Sequence, residues 1–498
     1  MSRNFASSLV RLSPNDRLDI NVYLALEKKN ARQAQKLKTL QKYVQKYRSG
    51  WKKRLELADL LYETGQWPQA IVEYNQVIQK QPQLLKPRMQ LGKILQLTNR
   101  MEEAVEVYRG AIACAKQEAT RQHLIGLLAS CQGNSRDAIA ALRSATTLEP
   151  QNLTHWLALG KLQMEMEYPV AALSSFDTLL SLEPNDLMGL VYSHDLLLTL
   201  GNLPEAENYL NRAMEIAPED VQILKRVIIN RCRKRLVFDA AGKQTKKLIS
   251  ALLKQAPSLP SAHNLSAQYY IARNELQRGL EVMRDFAEEY ANNPHSWYYY
   301  SSCLFDLGEN KLATEAILTA HNLSQGMCDR EIYRALCKIL PATGKLNQTR
   351  IIITEMLSCF PESWSLWATA GRVLVENLKE NERGCQYSLQ ATQLAPQLAD
   401  TWFCHGRVLL LTDQHQAAVE AFTQGWQLLL PEANHLKSVS AAVWLGASYQ
   451  ALGLTHLGQA WLHIASQQAQ ELIEFDPIKA RYWQDQALAR LKNMELDI

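Results

Sequence analysis

From Trp51 to Pro218 small and apolar residues return every 34 positions, and registers beginning at 51, 85, 119, 153 and 187 align without a gap. Counted from the start of each register, position 20 reads Ala70, Ala104, Ala138, Ala172 and Ala206, and position 24 reads Tyr74, Tyr108, Leu142, Phe176 and Leu210. Position 8 is small as well, at Ala58, Gly92, Gly126 and Gly160. Small residues at 8 and 20 predict two short helices that approach closely, with the large residue at 24 filling the groove against the next register. Position 15 reads Gly65, Asn99, Gly133, Glu167 and Gly201, where a left-handed residue ends the first helix. Trp67-Pro68, Met101-Glu102 and Leu203-Pro204 then open the second helix, and proline at position 32 (Pro82, Pro150, Pro184, Pro218) stops it.

Beyond Pro218 the rhythm stretches: Pro257 and Pro294 arrive late, and Arg231 to Arg235 reads as an extended loop or a lengthened helix. It returns at Trp297, Gly308, Ala313 and Ala320, weakens at Gly344 and Pro361, and is clear again at Trp367, Gly371 and Pro396. Trp402, Gly406, Ala418, Phe422 and Pro431 form another unit, and Trp444, Gly446, Gly453 and Ala460 a last one. The repeat resembles the tetratricopeptide-repeat family, whose pattern is W-x₂-L-G-x₂-Y followed by Ala, Phe, Ala and Pro; the fullest match is Trp156, Leu159, Gly160, Ala172, Phe176 and Pro184. The expected fold is all-α, a right-handed α-solenoid (superhelix) of about twelve helix-turn-helix repeats. A basic helical cap or docking segment occupies 1–50, a regular array 51–220, degenerate basic repeats 221–293, a second array 294–470, and a polar capping helix 471–498. Only 21 glycines and 17 prolines among 498 residues agree with a helical chain.

Charge sharpens this picture because it is uneven. The formal net charge is +4, yet residues 28–54 hold eleven cations and no acid. Leu37, Leu40, Val44 and Tyr47 recur at helical spacing there, with Lys36, Lys42, Lys46 and Arg48 elsewhere around the helix, and a preceding helix is expected from Asp16 to Lys29. Such a stretch either caps the first repeat, leaving its cations in water, or docks on an acidic protein or an anionic surface, lipid or nucleic acid. A second basic cluster, with Arg231, Arg233, Lys234 and Arg235 at its centre, spans 225–254 and contains one acid, Asp239.

Motifs for chemistry are missing. Gly242-Lys243 and Gly344-Lys345 lack the upstream glycine and following Ser/Thr of a phosphate loop, no H-E-x-x-H occurs, and no G-x-S-x-G elbow is present. The chain is read as no enzyme, with no cofactor, metal or small-molecule substrate. Nine cysteines stand singly without a C-x-x-C pair, which reads as helix packing in a reducing compartment. No run approaches the roughly 18 apolar residues of a spanning helix, so a cytoplasmic protein is expected.

The resemblance implies that positions 2, 5, 9 and 12 of each first helix line a concave surface that receives a partner protein. Position 9 gives Asp59, Lys93, Leu127, Lys161 and Asp195, then Arg372 and Arg407; position 5 gives Leu55, Met89, His123, Leu157, Ala368 and Phe403. The reading is a protein-binding scaffold or assembly factor whose Lys93, Lys161, Arg372 and Arg407 anchor acidic groups. The alternative is a nucleic-acid- or anionic-membrane-associated regulatory solenoid acting through the two basic clusters.

Overall fold

A computed structural model of the chain describes residues 31–47, 50–64, 66–98, 100–324, 328–429 and 436–496. These residues form 26 helices and no strand. In sequence order they are twelve helix-turn-helix units, from Trp51–Glu63 with Trp67–Lys80 to Leu436–Ala451 with Thr455–Leu472, preceded by Ala31–Lys46 and followed by Pro477–Leu496. This is an all-α solenoid.

The turn chemistry follows the repeat. Gly133 and Gly201 at position 15 have φ of 74° and 88°, and Glu167, at the same position, is forced to 60°. Asn134 and Asn202 cap the following helices by accepting from the backbone N–H of Asp137 and Glu205. Position 4 supplies a tether that the sequence did not reveal. The indole N–H of Trp156, Trp297, Trp367 and Trp402 donates to the carbonyl six residues upstream, on Pro150, Ala291, Pro361 and Pro396, at 2.7 to 2.8 Å. Arg88 does the same to Pro82. Each tether satisfies a carbonyl in the inter-repeat turn and fixes the entry of the next first helix.

Packing inside a pair is a notch filled by a ring. A Cβ on Gly160 would lie 2.7 Å from the Phe176 ring, on Gly92 2.5 Å from Tyr108, and on Gly406 2.9 Å from Phe422. The large residue at position 24 therefore fills position 8 of its own repeat and also meets the next one, where Phe176 stacks on Tyr192 at 5.2 Å and Phe422 lies 6.1 Å from Trp444. All three rings are fully buried.

The chain divides into two compact units. The described part of the first is 31–193 with 254–259; that of the second is 194–253 with 260–496. In the first unit Leu40 and Val44 of Ala31–Lys46 are buried with Leu57 and Leu61, so that helix covers the first pair. In the second unit Val221–Arg233 ends at the basic cluster, a turn covers 234–238, and the following helix, Asp239–Gln255, is lengthened to 17 residues. Cys328 and Cys359 are joined as a disulfide, which corrects the reading of all nine cysteines as isolated packing residues. The other seven are free. No helix among the described residues is long and apolar enough to cross a membrane.

Candidate functional site

In the second unit the first helices of successive pairs pack against one another from Val221–Arg233 through Leu436–Ala451, more closely than the second helices do. The side on which elements crowd is the inner side of a curved stack, so the first-helix residues that face it form the candidate surface.

Position 9 of three consecutive first helices places a cation there. Gly344, with φ of 75°, is position 15 of its repeat; counting back makes Lys338 position 9, a residue the sequence reading missed because that repeat lacks its tryptophan. Lys338 lies 3.5 Å from Asp306 and 4.6 Å from the centre of the Phe305 ring. Arg372 pairs with Glu376 at 2.8 Å, and Arg407 reaches the same carboxylate at 2.5 Å while its guanidinium sits 5.1 Å from the Trp444 ring. The three cations keep 37 to 40% of their side-chain surface in water, whereas Asp306 keeps 2% and Glu376 22%. The acids lie beneath and the cations outward, so the row is held in place without losing its outward positive face. Lys437, in the next first helix, pairs with Asp400.

Phe403 and Ala368, predicted to line this surface, are buried core residues. A Cβ on Gly425 would come within 2.7 Å of the Phe403 ring, so the glycine opens a notch that swallows the phenylalanine.

The first unit arranges the same positions differently. Asp59 is engaged, accepting from the Tyr74 hydroxyl at 2.8 Å and pairing with Lys86 at 2.6 Å. Met89 is half-buried against the apolar cluster beneath it. Lys93 remains exposed, yet the protein around it desolvates its ammonium and, with help from the Lys161 charge, holds it below the usual lysine range. The Lys161 ammonium lies 5.4 Å from the centre of the Tyr192 ring. His123 is buried with its Nδ1 3.1 Å from Nδ1 of His155, a geometry that requires one ring to donate and the other to accept. Desolvation, then the His155 and Lys93 charges, push His123 down to about 4, so the pair is neutral.

Asp195, expected on the lining, is instead buried in a bidentate pair with Arg226, at 2.8 and 2.5 Å. The centre of the 225–254 cluster, Arg231 to Arg235, is engaged inside the second unit, which corrects its reading as an open basic patch, while Lys243, Lys246 and Lys247 on the following helix are exposed. Arg231 donates to Thr245 and to the Ala241 carbonyl. Arg233 is buried and desolvation pushes it down, against the Asp476 and Glu207 charges. Lys234 bonds both oxygens of Glu207 at 2.7 and 2.6 Å. Arg235, at φ 60°, lies 5.5 Å from the Phe238 ring centre. In the N-terminal cluster Lys36 pairs with Glu56 at 3.4 Å, and Lys42 and Lys46 are exposed. Arg48 and the helix expected from Asp16 to Lys29 lie outside the described residues.

A family model described as tetratricopeptide repeat matches residues 54–119. That stretch is of the tetratricopeptide kind, and the all-α helix pairs continue in the same order through the rest of the described residues. No curated protein matches its sequence. Among solved structures it is similar to the Cut9–Hcn1 hetero-tetramer of the APC/C, at 14% identity over 96% of this chain and 97% of that one, TM-score 0.36. It is similar to yeast Tom70 at 13% identity over 91% and 96%, TM-score 0.42. YrrB, a TPR protein with an unusual peptide-binding site, is 15% identical over 37% of this chain and 95% of that one, TM-score 0.25. Likenesses this distant bear on neither partner nor role.

Proposed function

We propose that the chain is a non-enzymatic scaffold that holds an acidic, extended segment of a protein partner along the inner first helices of its second unit. The observation that carries this reading is the row Lys338, Arg372 and Arg407, one outward cation per repeat, each braced by a carboxylate and two of them also by an aromatic ring. Packed helices lie roughly 8–10 Å apart, and a segment extended as a polyproline-II helix advances about 3.1 Å per residue with three residues per turn, so every third side chain faces the same way. One acid at every third residue of the partner therefore meets one cation per repeat. Each such contact is worth only about 0.2–1 kcal/mol while it stays wet, so affinity accumulates over several repeats and weakens with salt. Lys93 and Lys161 extend the same chemistry to the first unit.

Fluorescence anisotropy tests this with a labelled peptide carrying Glu at every third residue and an isomer carrying the same residues in scrambled order. The ordered peptide binds more tightly, and Arg372→Glu with Arg407→Glu weakens it about tenfold or more, equivalent to roughly 1.4 kcal/mol. Lys243→Glu with Lys246→Glu, on the exposed face of Asp239–Gln255, leaves it unchanged. Equal binding of both peptides, or no response to the reversal, counts against the reading.

A further inference from the structure

The second unit is closed by contacts between parts of the chain far apart in sequence. The Lys437 ammonium donates to the Thr199 carbonyl at 3.1 Å across 238 residues. Beside it Leu203, the first residue of Leu203–Ile216, is only 6% exposed because it shares an apolar cluster with Val439, Ala442 and Val443, and Leu198 packs against the same cluster. At the edge the Lys234 ammonium lies 5.2 Å from the centre of the Phe475 ring, and Asp476 is close enough for its charge to act on Arg233. One leucine plug, one lysine-to-carbonyl bond and a charged rim make a much thinner joint than the continuous apolar packing inside each helix pair. The thinnest joint of a stack is where it opens first.

Lys437 also belongs to the inner surface. It pairs with Asp400 there, and its charge is felt at Cys404 together with those of Arg407 and Arg372. The seam and the cation row thus meet at one ammonium.

We propose that this seam is a latch: closed, it commits Lys437 to Thr199, and an acidic segment seated on Arg372 and Arg407 draws Lys437 away and loosens it. The coupling rests on the reading of the row given above; the closure itself does not. An open latch binds the acidic segment better, because the energy of opening is no longer subtracted from binding.

Amide hydrogen exchange on the full chain, run beside anisotropy with the third-residue glutamate peptide, separates the two ideas. Leu203→Ser should raise exchange about tenfold in Leu436–Ala451 and Thr455–Leu472, over two hundred residues from the substitution. The same variant should bind the peptide about tenfold more tightly than the unaltered chain. Lys437→Met, which leaves Leu203 in place, should loosen both sides of the seam to a smaller extent and guards against a merely misfolded Leu203 variant. Exchange changes confined to the substituted side, residues 198–216 for Leu203→Ser and Leu436–Ala451 for Lys437→Met, would overturn the latch whatever the peptide does. Coupled exchange with equal peptide affinity would overturn the link between seam and peptide and leave the row intact. Coupled exchange with no peptide binding by any form would support the closure and remove the row as the ligand site.

Discussion

Position 9 of the first helix is solved in two ways. In the second unit Lys338, Arg372 and Arg407 stand over carboxylates that share their charge, whereas in the first unit no described carboxylate lies within ion-pair reach of Lys93 or Lys161. Lys161 leans on Tyr192, and Lys93 is crowded until its ammonium is easier to deprotonate. The arrangement in the first unit costs desolvation and is relieved by an incoming acid; that in the second, three cations over two carboxylates, is partly offset from below and offers a fixed geometry. One repeat position can therefore be a poised cation or a braced one, depending on what the neighbouring repeat places beneath it.

The widest gap between the units is expected at the acidic members of the same position. Asp195 is buried against Arg226, so Asp195→Ala strands a buried guanidinium and should cost about 3–5 kcal/mol. Asp59 pairs with an exposed Lys86, and Asp59→Ala should cost about 1 kcal/mol, chiefly through the Tyr74 hydroxyl it leaves unpaired. Urea denaturation of the two variants measures the difference.

Next in size is a pH effect in both units. His123 in the first and His405 in the second are buried, and desolvation pushes each down to about 4. Their depressed values mean that the unfolded chain takes up protons first. The stability they preserve is complete above about pH 6.5 and is lost as pH falls from there toward 4. Between pH 7 and pH 5 each histidine should withdraw about 2 kcal/mol, and His123→Gln should flatten the profile of the first unit alone.

A smaller, paired effect comes from the notches. Gly160→Ala, facing Phe176, should cost about 1–3 kcal/mol, and Gly406→Ala, facing Phe422 across a slightly wider gap, less within the same range. The smallest effect concerns binding. Glu376→Gln removes the shared counter-charge of Arg372 and Arg407 and should tighten an acidic peptide by about 0.2–1 kcal/mol, with no equivalent substitution available at Lys93.

The helices were legible because the 34-residue rhythm is local: Gly133 and Gly201 stand at the left-handed turn, and Ala172 and Phe176 sit sixteen or fewer residues from the glycine of their own repeat, Gly160. The site was legible only where its partners follow the same rhythm. Arg372 and Arg407 could be read from register alone, and Lys338 could have been, from Gly344. The failures involve partners that register does not carry. Arg233 and Lys234 look like a free basic run until Glu207 and Asp476 arrive from other repeats. Phe403 occupies a lining position, but Gly425 in the next helix lets it turn inward. Cys328 and Cys359 come together only because one lies in the turn before a first helix and the other ends the second helix of that pair.

The most direct test of the inner row is photo-cross-linking with the third-residue glutamate peptide carrying a photoreactive residue at its centre, followed by mass spectrometry of the adducts. Adducts are predicted on the first helices Arg330–Ala342, Trp364–Glu376 and Ala399–Leu411, and they should disappear when excess unlabelled peptide is added. Adducts concentrated on the second helices Leu346–Cys359 and Asn381–Leu394, or spread evenly over both, would contradict the account.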